Sequence, residues 1–251
     1  NRRSENSLTS VMAYGIYSKL DLYSNFSFLL DNNETTNPVG CSGLNGLQSA
    51  NRISTSIFQT CGDQFGQPDD RWTTGLAASH AVFHKIGRFD SETTLGIQVR
   101  NDNIRNALTR AHAQRVYGIT RQDSVWVTSV SPFLQNKTQW QSWLRTSMGV
   151  RFDGFRFAVN QSNIQQNNGT RYDGLVSPKL GIVFGPWANT ELYLNGGLGF
   201  HSNDARGINT RIDPASGGPV DRADPLARTY SAETGIRSTW IPGLHSTLTA
   251  W

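Results

Sequence analysis

Few residue combinations in the sequence could carry out catalysis. His201, Ser202 and Asp204 have the side-chain types of a nucleophilic triad, but residues so close along the chain cannot adopt the triad geometry. His80 and His84 would share one face of an alternating strand, which has no helical turn to bring them onto a metal ion. No glycine-rich phosphate-binding loop follows a strand and opens a helix. We therefore predict no catalytic residue, no metal site and no cofactor.

Arginine points more clearly to binding chemistry. The segments 101–121 and 201–228 are rich in arginine, and the planar guanidinium group suits carboxylate or phosphate groups. Capture of an anionic ligand is one interpretation, and a solvated loop or contact with phosphate-bearing lipids is the other. The candidate ligand-binding residues are Arg105, Arg110, Arg115, His201, Asn203, Asp204, Arg206 and Arg211.

Composition excludes several classes of protein. Only 17% of the 251 residues are charged, against about a quarter in an average soluble domain. No apolar run approaches the roughly 20 residues of a membrane-spanning helix, and no heptad repeat indicates a coiled coil. The two cysteines are too few for a zinc or disulfide scaffold.

Hydrophobic side chains alternate with polar ones along most of the chain, which predicts β-strands. The predicted strands cover residues 8–18, 20–30, 72–85, 89–100, 121–136, 142–158, 174–185, 190–201, 228–240 and 244–251. Most are far longer than the usual strand of about five or six residues, and a tilted strand needs about 9–11 residues to cross a bilayer. The fold class is therefore predicted as all-β, an antiparallel up-and-down meander of about ten long strands.

The predicted connections alternate in length. Short ones fall near Lys19 and at residues 87–88, 137–141, 186–189 and 242–243, and long ones at 31–71, 101–120, 159–173 and 202–227. Short turns on one side and long loops on the other are typical of outer-membrane barrels.

The tryptophans and the polar face of the strands agree with a membrane barrel. Four of the seven tryptophans, Trp140, Trp143, Trp187 and Trp240, lie in or beside short connections, as in an interfacial aromatic girdle. The alternative is that tryptophan simply ends strands in any β protein. The polar face carries charges that a narrow core could not bury, and a wide lumen could hold them. These charged residues are Glu92, Arg100, Arg145, Arg151, Asp153, Lys179, Glu191, Glu233 and Arg237.

Two stretches of sequence carry a family resemblance. Residues 177–181, Ser-Pro-Lys-Leu-Gly, and residues 192–202, Leu-Tyr-Leu-Asn-Gly-Gly-Leu-Gly-Phe-His-Ser, resemble a barrel hairpin of TonB-dependent outer-membrane receptors. Residues 136–140 before Leu144 resemble another hairpin of that family. The resemblance implies a non-enzymatic transporter in the outer membrane of a Gram-negative bacterium. Its extracellular loops would capture a scarce ligand, such as a ferric siderophore or a similar metal chelate, and TonB would supply the energy for import.

The resemblance also implies which parts of such a receptor this sequence does not contain. Family barrels have about 22 strands and follow a plug domain and a TonB box. We therefore expect residues 1–251 to be part of one barrel domain, without the plug, the TonB box and the remaining strands. The wall would then be open, with no ladder between residues 8–18 and 244–251.

Several partners follow from this interpretation. They are outer-membrane lipid and lipopolysaccharide, a small-molecule ligand, and the TonB complex through the missing plug; no nucleic acid is expected. Two other functions stay open, namely a self-contained ten-stranded outer-membrane enzyme, protease- or lipase-like, and a passive porin.

Cys41 and Cys61 are predicted to form a disulfide in an external loop. They are separated by 19 residues in a polar stretch, and a bond closing such a loop would stabilise the fold by about 3 kcal/mol in the chain-entropy model. Two unpaired thiols are the alternative. Thiol labelling of the unreduced, denatured protein should find no reactive cysteine, and two labelled thiols would contradict the prediction.

Overall fold

The computed structural model describes residues 2–4, 6–25, 64–112 and 114–251. Cys41 and Cys61 lie outside these residues. The strands are β1 (Arg2–Arg3), β2 (Ser7–Ser24), β3 (Gln64–Ile86), β4 (Phe89–His112), β5 (Arg115–Gln141), β6 (Leu144–Asn160), β7 (Gly169–Trp187), β8 (Thr190–Ser202), β9 (Leu226–Ser238) and β10 (Ser246–Ala250). A 3-10 turn covers Gln165–Asn167, and a short helix, α1, covers Ala205–Asn209. No helix in the described ranges has the length and apolar character needed to span a membrane.

The ten strands form one antiparallel meander in which each strand pairs with the next in sequence. This confirms the predicted fold class. Within the described residues, β1 and β10 are the two ends of the sheet, and no ladder joins residues 8–18 to 244–251. The predicted absence of closure is confirmed as well.

The predicted break near Lys19 is wrong. Residues 8–18 and the first part of 20–30 form the single strand β2, and Lys19 pairs in register with Asp70 of β3. A charged residue on a strand does not end it when the neighbouring strand continues to supply hydrogen bonds. Lys19 also forms an ion pair with Asp21, two positions along on the same face, at 3.6 Å.

The predicted long loop at 101–120 is wrong too. β4 continues to His112 and β5 starts at Arg115, so Arg105, Arg110 and Arg115 lie on strands. The polar side chains in this range suggested a loop. They belong to β4 and β5, which continue to pair with each other after their apolar residues end. The other connections at this end of the strands are shorter than expected in the described chain, at residues 161–168 and 203–225.

The sheet has two chemically different faces, which we call the apolar face and the polar face. Leu144, Phe184, Leu192 and Ile236 lie side by side on four strands of the apolar face. Many side chains on this face are exposed; Leu95, for example, is 62% exposed. The adjacent positions Arg145, Glu191 and Arg237 lie on the polar face and form ion pairs. An exposed apolar surface of this extent indicates a nonaqueous environment.

Three aromatic rings on the polar face cover glycines directly across from them. The register pairs Tyr14 with Gly75, Phe133 with Gly96, and Tyr193 with Gly235. A Cβ added at Gly96 would lie 2.4 Å from the Phe133 ring. The glycines leave room for each ring to lie flat on the neighbouring strand, as aromatic rescue of glycine requires.

Replacing Gly96 with valine in the full-length protein should destabilise the barrel. The new methyl groups would push the Phe133 ring off its strand, at a cost of about 1–3 kcal/mol. Gly15→Val is the matched control, because nothing lies within 4 Å of a Cβ built there. Urea titration followed by the mobility of folded protein on unheated gels measures the difference, and equal midpoints for the two variants would contradict the role of the ring contact.

Candidate ligand-binding site on the polar face

The connection between β8 and β9, residues 203–225, folds onto the polar face; we call it the docked loop. Its helix α1 contacts β5, β6 and β7. Ile208 is fully buried there and packs with Ala205 against side chains of the wall. The wall side chains in this cluster are Ile104, Val125, Phe157 and Val159. A hydrophobic cluster formed by the loop and the wall together therefore anchors the docked loop.

Two wall arginines hold the backbone of the docked loop. Arg121 of β5 donates hydrogen bonds to the Thr210 hydroxyl at 3.0 Å and to the Arg206 carbonyl at 3.3 Å. Arg171 of β7 donates to the carbonyl oxygens of Ile208 and Ala223, at 3.3 and 3.2 Å. These guanidinium groups tie both ends of the loop to the wall.

A buried asparagine fastens the docked loop from another side. The side-chain oxygen of Asn167 accepts hydrogen bonds from the backbone N–H groups of Arg211 and Ile212, at 2.8 and 2.9 Å. Its amide group donates to the Ile212 carbonyl at 2.8 Å. Asn167 is completely buried, so these bonds are not exchanged with water. They fix the backbone at Arg211 while its side chain stays exposed.

Asp204 caps the start of α1 and pairs with Arg206. Its carboxylate accepts a hydrogen bond from the Arg206 backbone N–H at 2.8 Å and forms an ion pair with the Arg206 guanidinium at 2.6 Å. Burial alone would raise the pKa of Asp204, but the hydrogen bonds and charge of Arg206 outweigh burial and lower it. The same ion pair raises the pKa of Arg206. A carboxylate whose pKa is lowered by folding stabilises the folded state above its unfolded pKa, and this contribution is lost as pH falls through the lowered value.

The predicted ligand-binding residues fall into two groups. Asn203, Asp204, Arg206 and Arg211 belong to the docked loop, and His201 lies exposed just before it on β8. Asn203 donates to the Asp224 carbonyl at 2.7 Å, so it closes the base of the loop. Among these residues, Asn203, Asp204 and Arg206 have side-chain partners within the loop, whereas Arg211 is held only through its backbone.

The second group lies on the hairpin of β4 and β5. Arg110 lies with its guanidinium 4.1 Å from the centre of the Phe65 ring, and Arg115 is exposed at the start of β5. Arg105 is next to Ile104, whose side chain packs beneath the docked loop. Because strand side chains alternate, Arg105 lies on the opposite face, away from that loop.

The sequence interpretation missed a repeated arginine–aspartate pairing. Arg100 and Asp102 on β4, Arg121 and Asp123 on β5, and Arg151 and Asp153 on β6 are each two positions apart and form ion pairs. Residues at i and i+2 share one face of a strand, so the guanidinium reaches the carboxylate without leaving its own strand. Asp123 and Asp153 are almost fully buried. The recurring Arg-x-Asp spacing is the signal that could have revealed them.

All four predicted girdle tryptophans lie at the short-turn end of the strands. The rings of Trp143 and Trp187 stack with their centroids 6.3 Å apart, and Trp240 follows the end of β9. The indole N–H of Trp140 donates to the Thr146 hydroxyl at 2.8 Å. Contact of these side chains with a membrane interface stays a prediction. A second aromatic group, which includes Tyr17 and Trp72 at 5.0 Å, lies further along the apolar face.

A recess of about 850 Å³ lies toward the short-turn end of the polar face. Lys137 pairs with Glu92 at 3.5 Å, and Arg145 and Arg237 both pair with Glu191. The charged groups that line the recess already have partners of opposite charge. Such a lining can contact a polar surface without leaving a charge unpaired. No group of three or more His, Cys, Asp or Glu side chains in the described part of the chain could hold a metal ion.

Comparison with known proteins identifies the family. The family model "TonB dependent receptor-like, beta-barrel" matches residues 3–251. The chain therefore belongs to the family of TonB-dependent receptor-like β-barrels. No curated protein matches the sequence.

Solved structures share the fold at low sequence identity. The ferric citrate transporter FecA in its unliganded form is 16% identical with a TM-score of 0.57, over 74% of this chain and 28% of FecA. The copper transporter OprC is 14% identical with a TM-score of 0.62, over 96% of this chain and 34% of OprC. The ferric-catecholate import receptor Fiu from E. coli K12 is 11% identical with a TM-score of 0.60, over 98% of this chain and 38% of Fiu. The chain thus spans about a third of the length of these structures.

Shortening Ile208 to alanine in the full-length receptor should loosen the docked loop. The buried side chain fills the cluster beneath α1, and such a truncation costs about 2–5 kcal/mol. Hydrogen exchange of residues 203–225 should become faster while exchange of the β5–β7 ladders is unchanged. Val220→Ala is the control, because Val220 lies in the same loop but is 44% exposed. Unchanged exchange in the Ile208 variant would show that the cluster does not hold the loop.

Proposed function

We propose that this barrel wall belongs to a receptor that captures an anionic metal chelate, most simply a ferric siderophore, and imports it with TonB-coupled energy. The observation that carries the proposal is the family match over residues 3–251 together with the arginine-bearing loop docked on the polar face. The ferric citrate transporter FecA and the ferric-catecholate import receptor Fiu share the fold. Loops at the external end would make the first contact with the ligand.

Arg211 is the strongest candidate for ligand contact. Its backbone is held by Asn167 while its side chain is exposed, so a charged group is presented from a rigid support. Because the backbone is already ordered, binding of a carboxylate or catecholate oxygen orders only the Arg211 side chain and not the loop. Two further exposed residues complete the proposed set of ligand-binding side chains. His201 precedes the docked loop on β8, and Arg115 lies at the start of β5. Asp204 and Arg206 support the loop, because their charges are already paired with each other.

The recess at the short-turn end of the polar face is proposed to receive the plug domain, through which TonB would act. Its ion pairs, Lys137 with Glu92 and Arg145 with Glu191, leave further hydrogen-bonding capacity for a polar surface. A plug that must move during transport is better held by such polar contacts than by a large apolar interface.

Replacing Arg211 with alanine in the full-length receptor should weaken ligand binding about tenfold or more, because a hydrogen bond to a charged group contributes about 1.5–3 kcal/mol. Arg105→Ala is the matched control, since it removes the same charge from the opposite face of the wall. Binding of radiolabelled ferric citrate and of a ferric catecholate to cells that express each variant measures the effect. Equal loss in both variants, or none in either, would contradict the role of Arg211.

Energy coupling is tested in the same cells. Uptake of the radiolabelled chelate should stop when TonB is deleted, while surface binding persists. Uptake that continues without TonB would favour a passive porin, and binding of neither chelate would refute the proposed ligand class.

A further inference from the structure

One part of the apolar face is not apolar. Near the short-turn end of β3, β4 and β5, this face carries His84, Ser91, Thr93, Asn136 and Thr138. The same region of β7, β8 and β9 carries Phe184, Ile182, Leu192, Leu194 and Ile236. We call the first set the polar patch. The wall is therefore chemically asymmetric around its circumference.

The polar patch is a connected hydrogen-bond network. The Asn136 amide group donates to the hydroxyls of Ser91 and Thr93, at 2.8 and 3.0 Å, and its oxygen accepts from Thr138 at 2.8 Å. The Ser91 and Thr138 hydroxyls are 3.0 Å apart. A ring nitrogen of His84, Nε2, is 2.8 Å from the Thr93 hydroxyl. Side chains ordered in this way present a defined surface, not a random set of polar groups.

The patch shortens the apolar span of the wall on one side. On β7 the apolar face is unbroken from Phe184 to Val176, about 26 Å along the strand at ~3.3 Å per residue. On β5 it runs only from Leu134 to Val130, about 13 Å by the same measure. A bilayer meets a shorter apolar span by thinning locally, which brings lipid head groups up to the polar patch.

Aromatic and cationic side chains border the patch on the turn side. The Phe89 and Trp140 rings meet edge to face at 5.3 Å, as interfacial aromatics do. The Arg88 guanidinium lies 5.1 Å from the centre of the Phe89 ring, which puts its charge on the same side of the wall. The nearby carboxylates Asp90 and Glu92 lie on the polar face, so no described acidic side chain on the apolar face of β3, β4 and β5 opposes Arg88 here.

We infer that Arg88 and the polar patch form a binding site for the head group of an anionic phospholipid in the leaflet next to the short turns. Arg88 contacts the phosphate, and the partly exposed His84 imidazole hydrogen-bonds to a phosphate or glycerol oxygen. Ser91 and Thr138 are buried and hold the network in place from within the wall. The Phe89 and Trp140 rings flank the head group at the interface. The site depends on placement of the barrel in a bilayer and is independent of the imported ligand.

The test uses the full-length receptor in nanodiscs of phosphatidylethanolamine with a minor fraction of phosphatidylglycerol. Native mass spectrometry counts the phosphatidylglycerol molecules that stay bound after release from the disc. Arg88→Gln, alone and combined with His84→Gln, should reduce the retained phosphatidylglycerol about fivefold or more. Arg88 lies in a turn, so its replacement changes no strand residue. The single variant therefore still tests the inference if the double variant fails to fold.

Lys85→Gln is the matched control. Lys85 precedes the same turn, but it lies on the polar face and pairs with Asp90 at 3.8 Å. Retention should stay at the wild-type level in this control. Equal loss in the control and in the Arg88 variants, no loss in either, or no preference of the wild type for phosphatidylglycerol over phosphatidylethanolamine would overturn the inference.

Discussion

The constraint on which the rest of the structure depends is the pairing of backbone hydrogen bonds in a medium without water. Each unpaired N–H or C=O group would cost several kcal/mol in a bilayer, so the strands must pair along their whole membrane-spanning length. This explains why the strands exceed the usual length and why consecutive strands pair in order. β3, β4 and β5 continue further because they keep pairing with one another beyond the apolar segment. Each side chain is then assigned to one face by its position in the alternation.

Charge on the polar face is paired partly within single strands and partly between neighbouring strands. An arginine two positions from an aspartate reaches it on the same face, and this pairing recurs on β4, β5 and β6. Because the partner comes from the same strand, the pair forms whenever the strand forms. Arg121 and Arg171 then have donor groups left for the carbonyl oxygens of the docked loop. Arg121 therefore both pairs with Asp123 and helps to position the docked loop.

Sequence reasoning predicted the structure correctly where the alternation of apolar and polar residues is regular. It failed where pairing with a neighbouring strand decides the structure. Period-two alternation predicted the all-β meander, because apolar side chains recur at every second position over much of each strand. It failed at Lys19 and at residues 101–120, where polar residues suggested turns and loops. There the paired strand continues, and its hydrogen bonds keep these residues in the ladder. The disulfide of Cys41 and Cys61 falls outside the described residues and stays a prediction.

The sequence by itself determined the class of fold, the family and, along the regular parts of the strands, the face on which a residue lies, because these depend on local alternation and short motifs. Only the tertiary structure decided which polar groups meet. Arg206 and Arg211 are equivalent in the sequence, yet Arg206 is paired with Asp204, whereas Arg211 is held by Asn167 through its backbone alone. The tertiary structure likewise joined His84, Ser91 and Asn136 into one patch, because they come from three strands and meet only through the register of the sheet.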